Sequence, residues 1–125
     1  MNQLQDNSSE ELAQTIIHGI QDRKAKDVIK LDLTNIHNAV SNYFIICHGT
    51  STTQVEAIAD SAIEMVSKQR GEKPWHKEGF DNAEWILIDY VDVVLHIFLK
   101  DVRKFYQLEE LWADADLKTY DDEQD

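Results

Sequence analysis

Two groupings in the sequence bring together residue types that can do chemistry. The first is Gly49-Thr50-Ser51, which follows an apolar run and precedes an amphipathic one. Backbone N–H groups in such a turn can hold a phosphate. Nucleotidyl transfer at this turn would also need paired carboxylates on a neighbouring strand, to hold metal ions against the triphosphate. Asp89 and Asp92 are three positions apart, whereas strand alternation puts residues two apart on one face. The only Asp-x-Asp is Asp114-Ala-Asp116, beyond the last helical pattern. A nucleotide-binding or nucleotidyltransferase-like enzyme using Gly49-Thr50-Ser51 therefore rests on the turn alone, and a helix cap is the simpler reading. Histidines 18, 37, 48, 76 and 96 include no His-x-x-x-His pair, and the single Cys47 cannot complete a structural zinc site. The residues call for no metal and no cofactor. Cys47 reads as a small core residue, and His96, between Leu95 and Ile97, needs a partner if it is buried.

The second grouping is Glu84-Trp85-Ile86-Leu87-Ile88-Asp89-Tyr90. Alternation puts Trp85, Leu87 and Asp89 on one face of a strand and Ile86, Ile88 and Tyr90 on the other. One face can be core, leaving an aromatic ring and a carboxylate together on the opposite side. Aromatic burial with charge complementarity suits the anchor of a basic protein surface. A tryptophan in a central strand is more often core, so both readings of Trp85 stand at this point.

The charge distribution sharpens the second grouping. The chain has 125 residues and a formal charge of −12. That argues against gripping nucleic acid through phosphates, which requires clustered cations, and favours basic partners. Residues 1–11 carry −3, residues 112–125 carry −5, and the remaining −4 lies between 72 and 92. The length and the 42% hydrophobic content predict one domain with its own core. No stretch reaches the ~18 apolar residues of a membrane span, and the polar, acidic N-terminal residues lack a targeting pattern, so a cytoplasmic location is expected.

The elements that must position these residues follow from periodicity. Ser8 and Glu11 form a capping box before Leu12, Ile16, Ile17 and Ile20, predicting a first helix that ends near 23–26. Val28–Leu33 and Tyr43–Cys47 read as strands. A second box, Thr53 and Glu56, precedes the stripe Val55, Ile58, Ala59, Ala62, Ile63 and Val66, the clearest helix in the chain. An edge strand passes through Trp75-His76 beside Pro74. Glu84–Tyr90 and Val93–Leu99 form a hairpin, and a last helix runs from Asp101, its cap, to Trp112, with Val102, Phe105, Leu108 and Trp112 on one face. The tail from Ala113 is expected to fray. The predicted class is α/β, a single mixed sheet with one layer of helices packed on it.

Taken together, Glu78-Gly79, the run Trp85-Ile-Leu-Ile-Asp89-Tyr-Val-Asp92-Val-Val-Leu-His96-Ile-Phe and the run Arg103-Lys-Phe-Tyr106-Gln-Leu108-Glu109-Glu-Leu111-Trp112 closely resemble the ribosomal silencing factor, or Iojap, family. Tyr43-Phe-Ile-Ile-Cys47-His-Gly49-Thr-Ser51 and Ile58-Ala-Asp60 fit it too. The resemblance covers roughly residues 10–112, leaving a polar end at 1–9 and an acidic tail at 113–125 outside. It implies a nucleotidyltransferase-like fold without the catalytic carboxylates, and a protein that is not an enzyme. It further implies docking on the fourteenth protein of the large ribosomal subunit, where the small subunit joins. Subunit association is thereby blocked and translation repressed under nutrient limitation. By position, the implied partner-binding residues are Glu78, Trp85, Asp89, Tyr90 and Asp92. A homodimer of the free protein stays open. Where the family commonly has Gly between the hairpin strands this chain has Val91, so the turn is expected to differ.

Overall fold

A computed structural model describes residues 2–122. In chain order the elements are α1 (Asn2–Gln21), β1 (Lys26–Asp32), β2 (Tyr43–Gly49), α2 (Thr52–Arg70), β3 (His76–Glu78), β4 (Trp85–Asp89), β5 (Val93–Leu99), α3 (Lys100–Tyr106), α4 (Leu108–Leu111) and β6 (Asp116–Thr119). The six strands form one sheet in the order β3-β4-β5-β2-β1-β6. Only β2 and β5, at its centre, pair in parallel; the other neighbours are antiparallel. Among the described residues no helix is long and apolar enough to cross a membrane.

One face of the sheet packs on α1 and α2. Leu12, Ile16, Ile17 and Ile20 of α1 and Val55, Ile58, Ala62 and Val66 of α2 bury against Ile45, Cys47, Ile86, Ile88, Leu95 and Ile97. The two helices approach closely at Gly19, where a Cβ would lie 2.9 Å from the Ala62 Cα. A side chain there would force them apart and loosen this layer.

The second face has its own apolar cluster, so the expected single layer of helices is a partial description. Ile29, Leu31, Ile46 and Phe98 pack there with Ile36, Phe44, Val102, Leu108 and Trp112. The cover comes from α3, α4 and the loop before β2. The parallel pair explains the need: strands at the centre of a mixed sheet are apolar on both sides and must be shielded on both.

Four local expectations are corrected. Ser8 lies inside α1 rather than capping it, and with Glu11 it receives Arg70: Nη2 donates to the Ser8 hydroxyl at 3.3 Å, and Nη1 sits 3.8 Å from the Glu11 carboxylate. The cap of α2 is Ser51, whose hydroxyl accepts the Gln54 N–H at 3.1 Å, two residues ahead of the expected Thr53. The last helix is two helices. Gln107 adopts a left-handed conformation, φ 48°, that ends α3 and starts α4; Asp101 makes no cap bond, Leu99 occupies the cap position, and Phe105 faces solvent. A straight helical period cannot register a single left-handed residue.

The fourth correction concerns the tail, which does not fray over 116–122. Residues 116–119 pair with β1, Tyr120 donates its N–H to the Val28 carbonyl at 3.0 Å, and Asp122 accepts the Asp27 N–H at 2.9 Å. Asp27 has φ 50° and sits where the β1–β2 register slips, so the tail closes a bulge. A chain ending at Ala113 should therefore lose on the order of 1–2 kcal/mol of stability. Urea denaturation checks this, and an unchanged midpoint would return the tail to solvent.

Candidate functional site

The second face is covered unevenly, and its bare end is where the sequence pattern pointed. Directly paired residues of neighbouring strands share a face. His76 pairs with Asp89, Glu78 with Leu87, and Leu87 with His96, so these side chains and Trp85 stand on the second face. Over β1 and β2 that face is closed by Trp112 and Leu108, but at β3 and β4 it opens. His76 and Glu78 are exposed, and Leu87 and Asp89 are half-exposed. Glu78 accepts or shares a proton with His76 at 2.7 Å.

The β4–β5 turn carries strain. Val91 has φ 75°, a left-handed conformation that costs a β-branched residue roughly 1–2 kcal/mol. Three bonds hold it: Asp89 Oδ1 accepts the Val91 N–H at 2.7 Å, the Ser41 hydroxyl donates to the Val91 carbonyl at 2.8 Å, and Tyr90 donates its N–H to the Val93 carbonyl at 2.9 Å. Asp92, exposed, turns its carbonyl to the N–H groups of Asn42 and Tyr43. The departure from glycine thus keeps the turn closed and puts a valine on its tip.

That valine belongs to an apolar patch that the motif reading did not identify. Trp75 is 74% exposed, Val40 86% and Val91 53%, and with Ser41 and Asp89 they line a shallow cleft. Trp75 is held by its N–H, which donates to the Asp89 carbonyl at 2.8 Å. Sequence offered a single signal, a tryptophan beside a proline at an edge strand; Val40 came from a loop with no period. Asp89 borders the cleft, with Glu78 across β3 from it and Asp92 in the same turn.

The other expected contact residues lie elsewhere. Trp85 is half-buried, its ring between Phe98 at 4.9 Å and Tyr106 at 4.7 Å, and its Nε1 donates to His96 Nδ1 at 3.2 Å. Its bulk is packing, so the core reading describes most of it. Tyr90 is 8% exposed on the opposite, helix-covered face. Burial and then Glu72 push its phenol up to about 12, and its hydroxyl meets no partner among the described residues. The structure therefore puts Glu78 and Asp89 on one open face, leaves Asp92 exposed in the adjoining turn, and places Tyr90 on the opposite face.

The Gly49-Thr50-Ser51 turn is tied down by Gln54. Gln54 Oε1 accepts the Thr50 N–H at 2.7 Å, its Nε2 donates to the carbonyls of Arg23 and Lys24, and the Ser51 hydroxyl caps α2. An anion entering here would have to displace Gln54. Cys47 is buried, and burial raises its thiol to about 12, against which Arg103 acts weakly. A thiol held that high is not a nucleophile.

The family described as Ribosomal silencing factor during starvation matches residues 6–125. The chain belongs to the ribosomal silencing factor family. The match runs through the acidic tail that the motifs alone had left outside, consistent with the pairing of β6. The chain is 46% identical over 100 residues to the ribosomal silencing factor of Bacillus subtilis, covering 80% of this chain and 83% of that protein. It is 42% identical over 108 residues to that of Halalkalibacterium halodurans, covering 86% and 91%. A crystal structure of a Chromobacterium violaceum protein superposes with a TM-score of 0.78 at 35% identity, over 83% of this chain and 85% of that one. Ribosomal silencing factors are regulatory proteins.

Two outcomes follow for the aromatic residues and the turn. Trp85→Ala should cost about 3 kcal/mol of stability in urea denaturation, because it empties a packed ring site and orphans His96. Val91→Gly should stabilise by about 1 kcal/mol through relief of the left-handed valine, and a fall in midpoint would refute the strain.

His96 gives a pH signature. Burial lowers it from 6.5 to about 4, so above pH 6.5 the folded and unfolded states are both neutral and stability is full. Below pH 6.5 the unfolded state alone takes up the proton, and stability falls until the folded histidine titrates near 4. Between pH 7 and 5 the native chain should lose about 2 kcal/mol more than His96→Gln, measured by urea denaturation at both pH values.

Proposed function

We propose that the open, acidic end of the second face docks on the fourteenth protein of the large ribosomal subunit and keeps the small subunit from joining. The observation that carries this reading is the exposed Trp75 with Val40 and Val91, bordered by Asp89, with Glu78 further along β3 on the same face as Asp89. Monomeric surfaces seldom leave so large an aromatic ring bare unless it meets a partner. Burial of the ring supplies the energy, and the carboxylates select a patch rich in Lys and Arg and set its register. The chain's −12 repels ribosomal RNA, so a basic protein surface is favoured over the phosphates around it.

The mechanism is occupancy. An interface on the order of 800 Å² per partner is enough to hold a domain of this size across the joining surface. No bond is made or broken, and no cofactor is required. Translation falls because free large subunits are taken out of circulation, in the cytoplasm, when nutrients run short. Trp85 contributes by holding β4 flat beneath the patch, and Tyr90 contributes through the core.

Subunit joining on sucrose gradients, with and without the purified protein, tests the reading, and undiminished joining at saturating protein would overturn it. Trp75→Ala should weaken co-sedimentation with large subunits by ~2 kcal/mol, about 30-fold, with an unchanged melting temperature. Full binding by that variant would remove the patch from the interface.

A further inference from the structure

A cavity on the far side of the sheet from β3 is left unused by docking. It lies at the carboxyl ends of β2 and β5, has a volume of about 380 Å³, and is lined by residues of β1, β2, α3 and α4. Its place in the topology matters. The chain leaves β2 into α2, on one face, and leaves β5 into α3, on the other. Where neighbouring parallel strands send their continuations to opposite faces, a crevice opens outside their carboxyl ends, and open α/β sheets bind ligands there.

The lining is chemically two-sided. Lys100, Arg103 and Lys104 are spaced i, i+3 and i+4 along α3 and so share one side of it. Arg103, 9% exposed, is pinned by Nη1, which donates to His48 Nδ1 at 3.0 Å and to the Lys26 carbonyl at 3.4 Å. Burial and then Arg103 hold His48 below its ordinary value, so it serves as a neutral acceptor that orients the guanidinium. Arg103 Nη2 reaches Glu109 Oε2 only at 3.9 Å, beyond hydrogen-bond length. Asp27, Glu109 and Glu110 supply the opposing charge. Glu109 Oε1 is buried and has no hydrogen-bond partner among the described residues. A buried acceptor in that state calls for a donor.

A bare polyanion fails here, because three acids face the same cavity as three cations. The fitting ligand carries phosphate for the lysines and Arg103, and N–H donors for Glu109. We propose that this cleft binds a free mononucleotide, with Lys100, Lys104 and Arg103 holding its phosphate and Glu109 accepting from its base. The volume lies within the ~300–1,000 Å³ of small-molecule sites. The site is separate from the Gly49-Thr50-Ser51 turn, which Gln54 ties down.

Calorimetry and amide chemical shifts on the full chain test this with ATP, GTP, CTP and UTP, with the parent nucleosides, with pyrophosphate and with a short single-stranded RNA. At least one nucleotide should bind one to one and move the amides of residues 27, 48 and 100–110. Its nucleoside and pyrophosphate should each bind at least tenfold more weakly. Lys100→Ala and Lys104→Ala, both at exposed positions, should each weaken the nucleotide about tenfold. Glu109→Gln should weaken the nucleotide and leave pyrophosphate unchanged or tighter. No saturable binding of any nucleotide, pyrophosphate binding as tight as the nucleotide's, shifts centred on Thr50 and Ser51, or binding of RNA alone would each overturn the proposal. Lys100→Ala should still block subunit joining, so failure here and failure of the docking reading are separate results.

Discussion

The parallel pairing of β2 with β5 is the constraint on which the rest of the molecule depends. Seven residues of each strand pair in register, and these strands carry Ile45, Ile46, Cys47, Leu95, Ile97 and Phe98, every one of them buried. Strands apolar on both faces demand cover on both. The crossover through α2, with α1 beside it, covers the first face over β2, β4 and β5. The second face is closed by what remains of the chain, and too little remains: α3, α4 and the loop before β2 reach β1, β2 and β5 but not β3. The bare end at β3 and β4 is therefore a consequence of the topology, and the acidic window of residues 72–92 is the segment that forms it.

Much of this was legible in the sequence, for identifiable reasons. The stripe of α2 and the runs of β2, β4 and β5 are strongly periodic, and period decides element type. The alternation Trp85, Leu87, Asp89 against Ile86, Ile88, Tyr90 assigned the faces as the structure has them, and by itself it placed Tyr90 with the core. The resemblance then carried Tyr90 into the contact set by position, which ignores the face. Features governed by one residue's backbone were not legible: the left-handed Gln107 that splits the last helix, and the bulge at Asp27 that draws in the tail. Trp75 and Val40 were missed because they meet only in three dimensions, through the Asp89 carbonyl and the Val91 turn.

Tryptophans 75 and 85 show how one residue type takes two roles at opposite ends of β4. Trp85 opens β4, opposite Phe98, with a hydrogen-bond acceptor within reach of its indole. Its ring is enclosed by the chain's own aromatics, and its environment is complete. Trp75 precedes the edge strand, and only its backbone is satisfied. Most of the Trp75 indole stays exposed, so the docking proposed above would give it a surface to cover, whereas the Trp85 ring is already occupied by packing.

Charge finishes the distinction between the two ends of the sheet. At the β3 end Glu78, Asp89 and Asp92 outnumber His76, which is hydrogen-bonded to Glu78 at 2.7 Å, so acidic groups predominate there. At the carboxyl ends of β2 and β5 three cations and three acids lie together, and the acidic tail reaches the same place through Asp122. A chain of −12 thus keeps a cavity of mixed charge at one end of the sheet and an acidic face at the other, and the two fields suit different partners. An acidic face attracts basic surfaces, as the proposed docking requires. Only a ligand carrying both an anion and hydrogen-bond donors can satisfy Arg103 and Glu109 at once, so neither site competes for the other's occupant.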